Sequence, residues 1–478
     1  MQPKGLAPAV LRSFSSTSIA IASAAPAFSL AATLGLLVQA TGSAAPSVLL
    51  IAAAPVLCIA VAFKSLSARQ PDCGASFTWA RENFGANVAW LTGWVVILAD
   101  VIVVASLAQV SGEYAIQLVT ARFPKPTSGI VTISGLTWIA LMTGVTYCGI
   151  RLCARLQVAL LITEVAVLIL FAALALWSAG ESHVSSVFLH GLNPGAVPGL
   201  DAWRQGLLIA IFLYWGWDTA LNLAEETRDS RHAPGRAAIV SLLILVGIYI
   251  LVTLAVLSSV QATRLASTGA TLLPEMGRNL GGSGLANLLV FVTLTSAVAS
   301  LQTTILPTAR TVLSMARSRA LPQTFARIHP RFSTPTIATL AMGMVSSVAY
   351  VCLTALGEGL LQDTVATTGL LVSFYYAVTG FAAWRTDVRY RLHSGSFFVR
   401  TGVTAIGGTT FAFIFGALAW TATAPSYGTS SWIGVGSVFL IGVGLIALGL
   451  VLVPIARTMA PAYFAIRPSG EEDMEGSR

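Results

Sequence analysis

Charge is scarce in this sequence. Only 10% of the 478 residues are Asp, Glu, Lys or Arg, against roughly 25% in an ordinary soluble domain, and lysine occurs only at Lys4, Lys64 and Lys125. With 55% hydrophobic residues and a mean hydropathy of +0.80, packing in water cannot hide the apolar surface. The net charge of +8 therefore does not read as a nucleic-acid footprint, and its meaning lies in where the basic residues fall. Cysteine is scarce too. Cys58, Cys73, Cys148, Cys153 and Cys352 are odd in number and lack metal-like spacing, so neither a disulfide framework nor a metal centre is implied. His183, His190, His232, His329 and His393 all fall between apolar stretches without ligand spacing. No loop or tail is long enough for a soluble sensor domain, no cluster of polar catalytic residues marks a membrane-embedded enzyme, and no cofactor is expected.

What the chain does have is long apolar runs. Read between charged or Pro/Gly-rich breaks, they give about twelve candidate spans, each near the ~20 residues that cross a hydrocarbon core. The first six are roughly 13–37, 44–66, 88–119, 127–148, 156–178 and 204–224, and the second six roughly 237–260, 285–314, 334–356, 364–384, 397–422 and 431–455. Ser13 to Leu37 is too long, and too interrupted by Pro26, for a cleaved signal peptide, so it reads as the first span. With both termini cytoplasmic, 22 of the 27 Lys and Arg residues fall inside and 5 outside. That asymmetry places the termini in the cytoplasm of a multi-pass cell-membrane protein and Lys125 outside.

The organisation expected is a cytoplasmic tail (1–12), a helical core (13–384) made of two five-helix halves (13–178 and 204–384), two additional spans (397–455) and a cytoplasmic tail (456–478) whose acidic end, 470–478, is disordered. Spans one and six each carry a helix-interrupting segment, five spans apart, which is the layout of two repeats of opposite topology.

In the first span, Ser23-Ala24-Ala25-Pro26-Ala27 sits about ten residues from the cytoplasmic end, near the midplane at 1.5 Å per residue. Pro26 lacks an amide hydrogen and disfavours helix at Ala25. One reading is a simple proline kink. The favoured one is an opened helix whose free amides and N-terminus hold an anion such as a substrate carboxylate. The sixth span holds Tyr214-Trp215-Gly216-Trp217-Asp218, in which Gly216 relaxes the backbone between aromatic residues. A carboxylate as deep as Asp218 costs about 2.5–3.5 kcal/mol on insertion scales, so it should face a partner or a wet cavity, as a proton site or an organiser of the break. Glu225 to Arg236 then reads as a solvated loop with local ion pairs.

The segment from Tyr214 to Ala238 resembles the signature of amino acid-polyamine-organocation (APC) permeases: a Gly-aromatic-acid break, paired glutamates, a basic turn and a Pro opening the next helix. Here Asp218 stands for the usual Glu and Asp229-Ser230 for Asn-Pro. Asp72 to Trp79, with Phe84-Gly85 and Gly93-Trp94, and Thr308 to Arg317, with Leu321-Pro322 and His329-Pro330, resemble the family's loops after the second and eighth spans. The resemblance covers nearly the whole chain. It implies an all-α membrane protein with the LeuT-type five-plus-five inverted repeat and discontinuous helices one and six. The implied activity is alternating-access uptake of an amino acid or related amine, or its exchange or export. The substrate carboxylate would bind at the first break and its ammonium at carbonyls of the sixth span.

Three further acids lie within spans. Asp100 is either a cavity group or a hydrogen-bonded structural one, and Glu113 reaches water near the outer end. Glu164 sits where some family members place an ionisable group thought to couple protons. Either it has that role or a vestibule hydrates it. No basic residue is expected inside the membrane core, so Glu164, Asp218 and Asp100 are the candidates for proton coupling. Thr293, Thr295, Ser296 and Ser300 read as helix packing in preference to sodium ligands, which makes a proton the expected coupling ion and sodium the lesser alternative. Arg385, Arg389 and Arg391 are placed to meet anionic membrane lipid.

Overall fold

Apolar residues that recur with few charges, in a medium that offers the backbone no hydrogen-bond partners, are forced into helices. The computed structural model describes residues 4–119, 128–259, 272–390 and 397–465. Lys125, His393 and the acidic end 470–478 lie outside the described residues. Helix α1 (Ser13–Ser23) is followed at once by α2 (Pro26–Thr41), and Gly42, at φ 62°, turns the chain into α3 (Ala45–Arg69). A short α4 (Ser76–Phe84) lies before α5 (Ala86–Val119), α6 (Ser128–Tyr147) and α7 (Ile150–Ala179). Helix α8 (Glu181–Gly191) occupies what the sequence reading left as a connection.

The predicted sixth span is present in pieces, α9 (Leu200–Leu213) and the four-residue α10 (Thr219–Asn222). After α11 (Ala233–Ser259) comes α12 (Leu272–Arg317), which is two helices in effect. Gly281 and Gly282 leave helical geometry, so a short helix precedes the span predicted from 285. The remainder is α13 (Thr336–Leu356), α14 (Glu358–Arg389), α15 (Phe397–Ala422), α16 (Ser437–Met459) and α17 (Pro461–Phe464).

The last span starts at Ser437, later than the sequence indicated. Residues 431–436 instead form a small antiparallel hairpin, β1 (Ser431–Trp432) with β2 (Val435–Gly436). Asp363 of α14 holds its base by accepting from the Thr429 amide at 2.6 Å, the Ser430 hydroxyl at 2.7 Å and the Ser437 hydroxyl.

Among the described residues, ten helical runs are long and apolar enough to cross a membrane, the first of them (13–69) holding α1 to α3. The outer surface carries bare apolar side chains, such as Ile162, Trp177 and Phe413, the last two 90% and 74% exposed. An apolar exterior of that extent is solvated by lipid. Inside, α11 packs on α1, α3 and α7, while α5 packs on α12, α13 and α14. An aromatic knot joins them: Phe63 lies edge-on to Trp217 at 5.2 Å and to Tyr376 at 5.3 Å. Lys4 bonds Asp72, and the Tyr463 hydroxyl donates to the Ala86 carbonyl at 3.2 Å, so both ends of the described chain reach one face, around residues 70–86.

Candidate binding site between two helix breaks

Pro26 cannot continue α1, and the chain ends the helix with tight turns: the Ala24 amide bonds Ile21 and the Ala25 amide bonds Ala22, both at 3.1 Å. Ala25 then adopts left-handed geometry (φ 47°, ψ 63°), which costs an L-residue about 1–2 kcal/mol, and Pro26 opens α2. Four of the backbone groups around this interruption find side-chain partners. Ser300 donates its hydroxyl to the Ser23 carbonyl at 2.8 Å and Ser29 donates to the Ala24 carbonyl at 2.7 Å. On the far side of the break, the Ala27 amide donates to Glu164 Oε1 at 2.7 Å and the Phe28 amide to Ser296 Oγ at 3.3 Å. The amides at the start of α2 are thus engaged by the protein's own Glu164 and Ser296. Thr293 and Thr295 bond carbonyls of their own helix, so the hydroxyl-rich stretch of α12 divides between packing and the first break.

The second break begins where α9 stops at Leu213. Gly216 (φ +108°) turns the chain against the first break: a Cβ added there would lie 2.8 Å from the Ser23 carbonyl carbon and 2.9 Å from the Ala24 amide nitrogen. Only glycine combines that conformation with that approach. The Ser23 and Thr219 hydroxyls close the contact at 2.8 Å.

The four aromatic and acidic residues of this segment separate into different environments. Tyr214 turns away, its hydroxyl on the Leu49 carbonyl at 3.1 Å, and Trp217 is buried in the aromatic knot. Trp215 faces inward and donates Nε1 to the Tyr375 hydroxyl at 2.8 Å; that hydroxyl in turn donates to Asp218 Oδ2 at 3.1 Å.

Between the breaks lies a small cleft. Of the residues expected at the site, Ser23, Ala24, Ala25 and Trp215 line it. They are joined by Phe28, Ser106 and, from α14, Val365 and Thr368, which the sequence did not mark. Among the described residues, no charged side chain lines it. Pro26, Ala27 and Gly216 shape the backbone around the cleft. Glu164 stands behind α2, 1% exposed, with Ser296 Oγ donating to Oε1 at 2.6 Å and with Oε2 unpartnered among the described residues. Asp100 is buried and accepts from the Thr308 hydroxyl at 2.5 Å.

Two sequence expectations are corrected here. The segment after α10 is not a solvated loop throughout. Glu226 is fully buried and forms a two-point ion pair with Arg310 of α12, at 2.5 Å and 2.9 Å. Arg310 is therefore a basic residue in the interior, contrary to expectation, and it is wholly committed to Glu226 and the Leu306 carbonyl. Further along, Asp229, His232 and Arg236 do make the expected local pairs. Glu225 is half-buried and, with Asp72 and Cys73, forms a group of metal-ligand side chains, but all three surround the Lys4 ammonium.

The chain matches the family model described as amino acid permease over residues 11–457. An uncharacterized transporter of Mycobacterium tuberculosis is 29% identical over 339 residues, covering 70% of this chain and 71% of its own. A vacuolar cationic amino acid transporter of Arabidopsis thaliana is 25% identical, covering 64% and 52%. A branched-chain amino acid permease of Bacillus subtilis is 22% identical, covering 62% and 65%.

Proposed function

Because the chain belongs to the amino acid permease family, we propose that this multi-pass membrane transporter takes up amino acids by proton-coupled alternating access, through a LeuT-type pair of inverted five-helix repeats with two added spans. The observation that carries this reading is the contact of the two breaks, backbone on backbone at Ser23 and Gly216, at the edge of a cleft deep among the helices. A rigid-body shift of α1 and α10 against α5, α12 and α14 would open that cleft on one face or the other. Charge asymmetry supports a cell-membrane location with the terminal face cytoplasmic.

The cleft wall of Phe28, Val103, Leu107, Phe212, Trp215 and Val365 suits a neutral apolar side chain, as in the substrates for which the Bacillus relative is named, over a cationic one. Glu164 is the proton carrier in this reading, because its carboxylate is the one charged group among the described residues that directly holds the backbone of the first break. Asp218 orders the second break through Tyr375.

The test is uptake of radiolabelled leucine and lysine into proteoliposomes under an imposed inward proton gradient. Leucine should accumulate and lysine should not, and Glu164→Gln should lose accumulation at least tenfold while keeping leucine exchange. A strict need for sodium, with no response to the pH gradient, contradicts the coupling. Equal accumulation of lysine contradicts the substrate class.

A further inference from the structure

The residues ahead of α1 are not a loose tail. Leu11 pairs with the segment after α10 like a strand: its amide donates to the Glu226 carbonyl at 2.9 Å, and the Arg228 amide donates to the Leu11 carbonyl at 2.8 Å. Arg228 Nε holds the Ala9 carbonyl at 3.1 Å, and Arg317 at the end of α12 holds the Lys4 carbonyl at 3.2 Å. Leu6 is buried with Cys73, Leu313 and Ala326. Residues 4–11 thus cross the whole terminal face, from α1 over the segment after α10 to the end of α12.

At the far end of this crossing, the Lys4 ammonium lies 2.7 Å from Asp72 Oδ2, 2.9 Å from Glu225 Oε1, 3.3 Å from Ser314 Oγ and 3.5 Å from Cys73 Sγ. Asp72 is itself fixed, its Oδ1 accepting from the Gly74 amide and the Thr78 hydroxyl at 2.8 Å and from Ser314 at 2.9 Å. One ammonium therefore joins three pieces of chain: the α3–α4 connection, the segment after α10, and α12. Burial works against both charges, yet mutual attraction prevails, holding Asp72 below the usual carboxylate range and Lys4 above the usual amine value. An exposed ion pair contributes little, but here Lys4 and Asp72 are 13% and 8% exposed, and removing the cation leaves the buried Asp72 and the half-buried Glu225 carboxylates facing each other.

We propose that residues 4–11 are a strap that locks the terminal face shut and that Lys4 is its key: the cleft opens on that face only when Lys4 leaves Asp72 and Glu225. The proposal rests on the alternating-access reading for its functional consequence, but the closure itself is a property of the resting protein. Without Lys4, repulsion between Asp72 and Glu225 pushes the segment after α10 away from the α3–α4 connection, the movement that opening needs.

Cys73 reports on this directly, since it is buried beneath Lys4. In full-length protein with Cys58, Cys148, Cys153 and Cys352 replaced by Ala, maleimide labelling of Cys73 should be slow, and Lys4→Gln should speed it at least tenfold. Lys64→Gln, a change at the other lysine near this face, should leave it slow. Fast labelling before any change at Lys4, or slow labelling in Lys4→Gln, overturns the strap, and neither result depends on knowing a substrate. The functional half is tested by joining Lys4→Cys to Cys73 with a short reducible bis-thiosulfonate and measuring proton-driven leucine uptake. Uptake should fall at least tenfold and return on reduction. Undiminished uptake by fully cross-linked protein overturns the link to opening, while absence of leucine uptake by the wild-type protein counts against the leucine reading and leaves the labelling result to decide the strap.

Discussion

Asp218 stands immediately before α10, half-buried, with one oxygen 3.1 Å from a tyrosine hydroxyl that also accepts from Trp215. Its charge therefore orients Tyr375, and Tyr375 orients the tryptophan in the cleft wall. Asp218→Asn keeps the size but offers Tyr375 a weaker acceptor. The expected outcome is normal membrane-extracted yield with concentrative uptake reduced at least tenfold, while Asp218→Glu keeps substantial activity. Initial-rate uptake and yield, measured on both variants, check this, and wild-type uptake by Asp218→Asn would remove Asp218 from the transport machinery. Such a residue is legible in sequence because a carboxylate deep in an apolar run demands a reason. Ser106, Thr368 and Tyr375 were not, since a hydroxyl in a span is unremarkable until the rotation of its helix is known. Arg310 was misplaced for a related reason: it sits near a span's end, where arginine ordinarily reaches water, and only the fold brings Glu226 onto it.

At the scale of elements, the two breaks depend on each other. Pro26 stops α1 on its own chemistry, but Ala25 would not hold left-handed geometry without the partners around it, and Gly216 is where the second break leans on the first. Gly216→Ala sets a methyl group against the Ser23 backbone and asks alanine for a positive φ, a strain of about 1–3 kcal/mol before any displacement. Uptake should be lost and the thermal midpoint of purified protein lowered. Unchanged values for both would show that the breaks need no close approach. Both interruptions were visible in the sequence as local backbone chemistry. Their contact was not, nor was the engagement of the Ala27 amide by Glu164, because these join residues 137 or more positions apart. Helix α8 was missed because its mixed polarity, Glu181 and His183 through His190, lacks the long apolar run by which the spans were found.

For the molecule as a whole, the lopsided placement of Arg and Lys is the strongest orienting signal, and both described chain ends do come to one face. That face should be cytoplasmic. A cysteine introduced at Lys125 should react with an impermeant maleimide in intact cells, and one at Arg389 only after permeabilisation; the reverse pattern inverts the orientation. That the chain crosses the membrane many times was legible because hydrocarbon thickness imposes a length on each span. The arrangement of spans in the bundle was not, because lipid-facing and protein-facing surfaces here are almost equally apolar.

The partners of the first break bear on how the chain is made. A span entering the membrane from the ribosome meets lipid within seconds, yet the carbonyl of Ser23 waits for Ser300 and the amide of Ala27 for Glu164. Neither residue exists when the first span is inserted, and a polar backbone group left bare in hydrocarbon costs several kcal/mol. The newly inserted segment therefore has to stay helical across Ala25, or stay close to water, until residue 300 has been translated. The first span to be synthesised is among the last to take its final shape.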